Sequence, residues 1–239
     1  MKTGKIIAPK EARIRYDEII PTYQAAFAGE PWYEVSKCTG CITGFSAQEP
    51  GTNCDSCGGM TEGPAYSDQE LRERFDMLAE TRPTYWYVEQ DEQGRMTLAA
   101  LAWKATVGMI AKEKYTDIPE MADWLKKKYQ LSKGIRSSTT KLSDKPSIVW
   151  IDEVFANRSI SPSRNLDNFR EMVGGLASRL DEYDNVAYRT IAPAMVRVAL
   201  RDFDSARVSV MCEDVPDRRN FVAISLAYSG PRTTADKEK

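Results

Sequence analysis

Histidine is absent from all 239 residues, and that absence removes more chemistry than any other feature of the chain. Ser-His and Cys-His nucleophilic machinery cannot be assembled, nor can a metal site that needs imidazole. Proton transfer therefore falls to Asp, Glu, Tyr, Lys, Cys or water. A strong charge of either sign is also missing: 33 basic residues stand against 35 acidic ones. No global field advertises nucleic acid or a membrane surface. No apolar run approaches the roughly 18 residues of a membrane helix, and the segment 1–9 lacks the apolar core of a secretion signal. The sequence reads as cytoplasmic. Internal repeats are absent, and the length suits one medium domain with insertions or two small ones.

Cysteine is scarce, but its placement is informative. Four of the five cysteines form two pairs, Cys38-x-x-Cys41 and Cys54-x-x-Cys57, with Cys212 far away. In a reducing compartment this pattern reads as metal ligation rather than disulfides. Small residues follow each pair, Ile42-Thr43-Gly44 and Gly58-Gly59, as a tight knuckle with amides aimed at thiolate sulfur requires. Four thiolates at this spacing suit structural tetrahedral zinc in an inserted ribbon over 36–60. A rubredoxin-like iron site is the less favoured occupant, and a redox dithiol would need one pair only. The loop between the pairs has no Lys or Arg, which disfavours a ribbon that grips nucleic acid. Cys212 is expected to pack inside a closing hairpin, where nothing would activate its thiol.

Elements follow from periodicity. A short strand is predicted around Arg13-Ile14-Arg15, then a helix carrying Ile19, Ile20, Tyr23, Ala26 and Phe27, with Pro21 in its first turn. Gly29 and Pro31 end that helix, and Trp32 and Tyr33 are predicted to cover a pocket or the core. Ser67 and Glu70 make a capping-box pattern for a helix over Asp68–Glu80, with Leu71, Phe75 and Leu78 facing inward. A hairpin follows: Tyr85–Val88, a turn at Asp91–Gly94, and a return strand over Met96–Val107. Residues 108–146 read as an insertion with a helix over Ile118–Tyr129. Its run Lys126-Lys127-Lys128 is best explained as a solvated helix end.

The stretch from Ser147 to Phe203 organises the rest. Ile148–Phe155 is apolar on both faces except for Asp152 and Glu153, as in a strand buried on two sides. A helix with Leu166, Phe169, Val173, Leu176 and Leu180 on one stripe follows, then a strand over Val186–Thr190. Pro193 opens a further helix that reaches Phe203. Such a strand–helix–strand unit places its strands parallel. Ala206–Cys212 and Phe221–Tyr228, joined by the charged turn Glu213–Asn220, form a closing hairpin. Residues 230–239 read as a disordered tail.

This order resembles that of the GNAT superfamily of N-acetyltransferases over most of Arg13–Tyr228, once the ribbon and the insertion are set aside. Ala26-Phe27-Ala28-Gly29-Glu30-Pro31-Trp32 looks like the loop after the family's first helix. Trp150-Ile151-Asp152-Glu153-Val154-Phe155 looks like its fourth strand, and Thr190–Phe203 like its last helix. The resemblance implies an α+β fold, a central twisted mixed sheet flanked by helices, forming a single domain over 1–229. It implies transfer of an acetyl or other acyl group from acyl-CoA to a primary amine by direct attack, with no covalent enzyme intermediate.

In that picture Glu153 is the base, with Asp152 its neighbour on the opposite face. Val149, Ile151 and Phe155 share the side of Glu153, so burial raises its basicity, unless an arginine pairs with it. Acyl-CoA lies against Val154, Phe155, Ala156, Tyr188 and Thr190, with its pyrophosphate near Arg164 and Asn165. Trp32, Tyr33 and the ribbon help select the acceptor. Aligned on Arg164, the chain has Asp167 and Phe169 where the family has glycines, and Val198 near its frequent tyrosine. Those departures sustain an alternative, a catalytically inactive GNAT-like binding module that uses the ribbon and the basic insertion. A changed donor such as an aminoacyl-tRNA is a third reading. Acceptor identity and oligomeric state are not readable from the sequence.

Overall fold

The computed structural model describes residues 3–29, 32–41, 44–114, 123, 148–156, 168–180, 185–190, 192–212 and 219–226. Its chain groups into two compact units, one built from 1–104 and 151–180, the other from 105–150 and 181–239. A seven-stranded mixed sheet has the strand order β1-β5-β6-β7-β8-β10-β9. Strand β7 (Ile148–Ala156) gives its first three residues to the second unit and the rest to the first.

The first unit opens with β1 (Thr3–Ile7), which pairs antiparallel with β5 (Thr84–Gln90). Next come α1 (Pro9–Ile14) and α2 (Tyr16–Ala28). The strand expected at Arg13–Arg15 is thus mostly helix. Pro9 stands at the start of α1, where its missing N–H costs nothing, and it sets a helical course that the Arg-Ile-Arg alternation does not break. Pro21 lies inside α2 rather than in its first turn. The hydrogen bond it cannot donate would have gone to the carbonyl of Asp17, an exposed residue, so the penalty falls where water is at hand.

Helix α3 (Asp68–Thr81) begins with the expected capping box. The Ser67 side chain accepts from the Glu70 amide, and the Glu70 carboxylate accepts from the Ser67 amide. Leu71, Phe75 and Leu78 are buried as predicted. They join Ile19, Ile20, Tyr23, Trp86, Val88 and Phe155 in one apolar core. Exposed ion pairs beside it, such as Arg13 with Asp76 at 2.7 Å, add under about 1 kcal/mol each. A fully buried Phe or Leu is worth about 1.5–3 kcal/mol, so the stripe decides.

Strand β5 and β6 (Met96–Ala105) form the predicted hairpin. Trp86 and Val88 turn to the core with α1–α3. Tyr87 and Glu89 turn the other way, toward Asn168, Phe169 and Met172 at the start of α5 (Phe169–Arg179). Burial on both faces explains the near-continuous apolar runs of these strands. Helix α5 buries Phe169, Val173 and Leu176, with Leu180 at its end, and packs on β1 and β5. Leu166 lies outside the described residues.

Between α2 and α3 a three-stranded sheet of order β3-β2-β4 carries the cysteine pairs: β2 (Ser36–Lys37), β3 (Phe45–Ser46) and β4 (Glu62–Pro64). Its entry and exit meet, the Ala65 amide donating to the Val35 carbonyl at 3.0 Å.

In the second unit, Val149 and Trp150 pair parallel with Val186 and Ala187 of β8 (Asn185–Thr190), as predicted for the crossover. Pro193 opens α6 (Pro193–Asp202). Strands β9 (Val208–Cys212) and β10 (Asn220–Ser225) form the closing hairpin, with β10 also antiparallel to β8. The return strand of the first hairpin ends before Val107, which starts α4 (Val107–Lys114). Thr106 Oγ1 accepts from the Met109 amide at 3.1 Å and so begins the helix. The remaining insertion with Lys126–Lys128, the tail 230–239 and the side chain of Cys212 lie outside the described residues.

One close approach is testable. A Cβ on Gly4 would meet the Tyr87 hydroxyl at 1.9 Å and its ring at 2.5 Å, and that buried hydroxyl has no hydrogen-bond partner among the described residues. Gly4→Ala is expected to cost about 1–3 kcal/mol in urea unfolding. Tyr87→Phe alone should be neutral or stabilising, because it removes an orphaned polar group, and in the double variant it should return part of the loss.

Candidate active site and metal centre

The ribbon brings the four predicted cysteines together. The sulfurs of Cys38, Cys41, Cys54 and Cys57 all lie within 4.8 Å of one another. Cys38 and Cys57 are 3.3 Å apart and Cys41 and Cys54 3.4 Å, too far for a disulfide at about 2.05 Å. A zinc–sulfur distance of about 2.3 Å places tetrahedral ligand sulfurs about 3.8 Å apart, so the cluster is of the right size for one ion.

The backbone is shaped to match. Cys54 donates to the Gly59 carbonyl at 2.8 Å and Gly58 to the Cys54 carbonyl at 2.7 Å. The turn needs the left-handed φ of +73° at Gly58. At Gly40 a Cβ would come within 2.7 Å of the Cys57 sulfur. The Ser46 hydroxyl and the Ser56 amide hold the Cys54 thiol down to about 6, favouring a thiolate. Hydrogen bonding to Cys54 and then Cys38 pushes the Cys41 thiol up, since a thiol that donates to a neighbouring sulfur holds its proton more firmly. The donor set and its spacing fit tetrahedral zinc held by all four residues, with no open position for chemistry.

A second cluster forms around strand β7. Arg74 Nη2 reaches Glu153 Oε1 at 2.6 Å and Asp152 Oδ2 at 3.3 Å. Adjacent strand residues alternate sides, yet this one guanidinium meets both carboxylates. Tyr23 completes the group: it accepts from Arg74 Nη1 at 3.0 Å and donates to Glu153 Oε1 at 3.4 Å. The Asp152 side chain is 1 % exposed, Glu153 18 % and Arg74 32 %, so only Glu153 and Arg74 can be approached from solvent. Burial works against the Arg74 charge, but Glu153, Tyr23 and Asp152 outweigh it and raise its pKa. Burial, then the Glu153 charge, pushes the Tyr23 phenol well above its ordinary value. It stays protonated at any working pH and can donate to a carboxylate but cannot serve as a base.

Aromatic rings wall this cluster. Tyr23 stacks on Phe27 at 4.4 Å and meets Tyr66 edge-on at 5.2 Å and Phe155 at 5.0 Å. Trp32 packs on Phe27 at 5.4 Å, against the edge of the apolar core. Tyr33 is 51 % exposed, with a left-handed φ of 53°. Tyr66 donates to Glu34 at 2.5 Å.

Of the residues expected to meet a donor, Phe155 is spent on the core, whereas Val154 and Ala156 are half-buried. In the second unit, Tyr188 is buried and donates to the Met195 carbonyl at 2.9 Å. Thr190 accepts from the Ala192 amide at 3.0 Å, at the entrance to α6. Arg164 and Asn165 lie outside the described residues. Sequence reasoning missed Arg74, Tyr66 and Glu34. A signal for Arg74 was present: 71, 74, 75 and 78 are one helical stripe, and an arginine within it announces a buried anion.

No protein-family model matches the sequence, and no curated protein matches it. Solved structures do match. The polyamine N-acetyltransferase of Drosophila melanogaster, which catalyses formation of N-acetylagmatine, is 11 % identical. That match covers 95 % of this chain and 100 % of the other, with a TM-score of 0.50. A ligand-free agmatine N-acetyltransferase variant matches at 11 % identity over 94 % of this chain and 98 % of its own, also with a TM-score of 0.50. The fold is that of the GNAT N-acetyltransferases. Within the GNAT fold, the four-cysteine ribbon is a small insertion. No helix among the described residues is long and apolar enough to cross a membrane.

Two outcomes test these centres. The purified protein should carry one zinc per chain by elemental analysis. Cys41→Ser or Cys54→Ser should lose it, and Cys212→Ser should keep it. Separately, Tyr16, Tyr23, Tyr66 and Tyr188 all have pKa values raised, chiefly by burial. Above about pH 10 the unfolded chain releases tyrosine protons that the folded one retains, so stability holds below that point and falls above it. Each such group steepens the fall by up to about 1.4 kcal/mol per pH unit. Urea midpoints between pH 9 and 11 should show this, with a shallower slope in Tyr23→Phe.

Proposed function

We propose that the protein is an N-acyltransferase that moves an acetyl or other acyl group from acyl-CoA to a primary amine. One observation carries the reading: on the strand that the family resemblance implies for a base, Glu153 is a partly exposed carboxylate, oriented by Arg74 and Tyr23. The two solved structures of the same fold act on a polyamine and on agmatine, which supports an amine acceptor.

The acceptor arrives as an ammonium, and Glu153 takes one proton from it, directly or through water. Arg74 and Tyr23 hold the carboxylate in place. The amine nitrogen attacks the thioester carbonyl carbon, whose oxygen charge is met by backbone amides near Val154–Ala156. The carbon–sulfur bond then breaks. The CoA thiolate leaves with the second amine proton, and the first passes from Glu153 to solvent. Trp32 and Tyr33 border the acceptor, and Arg164, Asn165, Tyr188 and Thr190 serve the donor. The zinc of the ribbon takes no part in the chemistry.

A second reading, a GNAT-like binding module without activity, is favoured by one fact: the Arg74 bridge to both acids is also what a purely structural lock requires.

Calorimetric titration of the zinc-loaded protein with acetyl-CoA, CoA and desulfo-CoA separates the two. Micromolar binding, followed by CoA release with an amine such as agmatine, supports the enzyme. No heat and no thermal stabilisation at millimolar ligand supports the module. In the active case Glu153→Gln should lower kcat/KM on the order of 10²-fold while the acetyl-CoA affinity stays within about twofold, since the base acts on the acceptor.

A further inference from the structure

Two separate contacts run from the ribbon to the Arg74–Glu153 cluster. The first is aromatic. Phe45 of β3 lies between the cysteine pairs in sequence, and its ring sits 5.3 Å from that of Tyr66. Tyr66 in turn meets Tyr23 edge-on at 5.2 Å, and Tyr23 touches both Glu153 and Arg74. Tyr66 is anchored on two further sides, donating to Glu34 and accepting from Gln24 Nε2 at 2.8 Å through its backbone carbonyl. The second contact is ionic. Lys37, immediately before Cys38, pairs with Glu70. Glu70 closes the capping box of α3 one turn ahead of Arg74.

The ribbon cannot hold these two side chains in place by its strands. Strands β2 and β3 pair over two residues each, far below what an isolated sheet needs. Its four sulfurs lie within 4.8 Å of one another, so one bound ion would tie its two knuckles together and add order that the short strands do not supply.

We propose that the zinc-loaded ribbon is a positioning element for the Glu153 carboxylate, acting through Tyr66 and through the Lys37–Glu70 pair. Tyr66 is then a positioning residue: it touches no reacting atom but fixes Tyr23 against Glu153 and Arg74. Metal loss frees Phe45 and Lys37, and so removes one of the contacts that hold the Tyr66 ring and one that holds the start of α3. The catalytic consequence rests on the acyltransferase reading, whereas the coupling does not.

The test reads the Arg74 side-chain Nε–H resonance in ¹⁵N-labelled, zinc-loaded protein, assigned by its loss in Arg74→Lys. Stripping the metal with a chelator should shift or broaden that resonance. Tyr66→Leu and Lys37→Met should each move it in the same direction with one equivalent of zinc still bound, so the variants decide the matter even if the stripped protein unfolds. Among amine acetylation rates, kcat should fall roughly tenfold or more in Tyr66→Leu, with KM for acetyl-CoA within about twofold, and Tyr66→Phe should recover most of it. An Arg74 resonance unmoved in both zinc-loaded variants overturns the proposal. If the loaded protein shows no acetylation at all, the acyltransferase reading fails and the resonance alone still decides the coupling.

Discussion

Two ionised carboxylates side by side on a buried strand need a cation near them, and among the described residues Arg74 meets both. Leaving either acid unpaired at this depth would cost several kcal/mol, so the position of α3 is tied electrostatically to strand β7 as well as through Phe75 and Trp86. The interaction also sets what the site can do. With a guanidinium at 2.6 Å, the Glu153 carboxylate is held in place within a wall of aromatic rings, so the arginine pairing set against burial-raised basicity is the arrangement present. Tyr23, held protonated by the same surroundings, adds a second contact that orients this carboxylate.

Much of the fold was legible because the signals were redundant. The capping box at Ser67 and Glu70 agreed with the stripe Leu71, Phe75, Leu78. Pro193 agreed with the helix after it, and the strand–helix–strand unit agreed with the parallel pairing of Val149 with Val186. Where one local rule stood alone it failed. Arg13-Ile14-Arg15 alternates like a strand, but Pro9 starts a helix through it. The true first strand, Thr3–Ile7, has too little alternation to announce itself and is defined by its partner β5.

The site was legible only in part, for a physical reason. Cysteine pairs declare their chemistry through spacing, because one ion imposes the geometry on a short loop. Glu153 was visible as a charge in an apolar run. Its partner Arg74 lies 79 residues away in the chain, and no local pattern links a buried anion to its cation across such a distance. Tyr66 and Glu34 were harder still, since each is unremarkable in its own segment and gains meaning only from the ring and the acid beside it.

The ribbon leaves the host and returns to it side by side, with Ala65 bonded to Val35 and Ser36 paired with Pro64. A module closed at its base adds almost no loop-closure cost to the chain around it, and it leaves the spacing between α2 and α3 undisturbed. What it brings is four clustered sulfurs on a short loop, joined to the host among the described residues by the Phe45 ring and by Lys37.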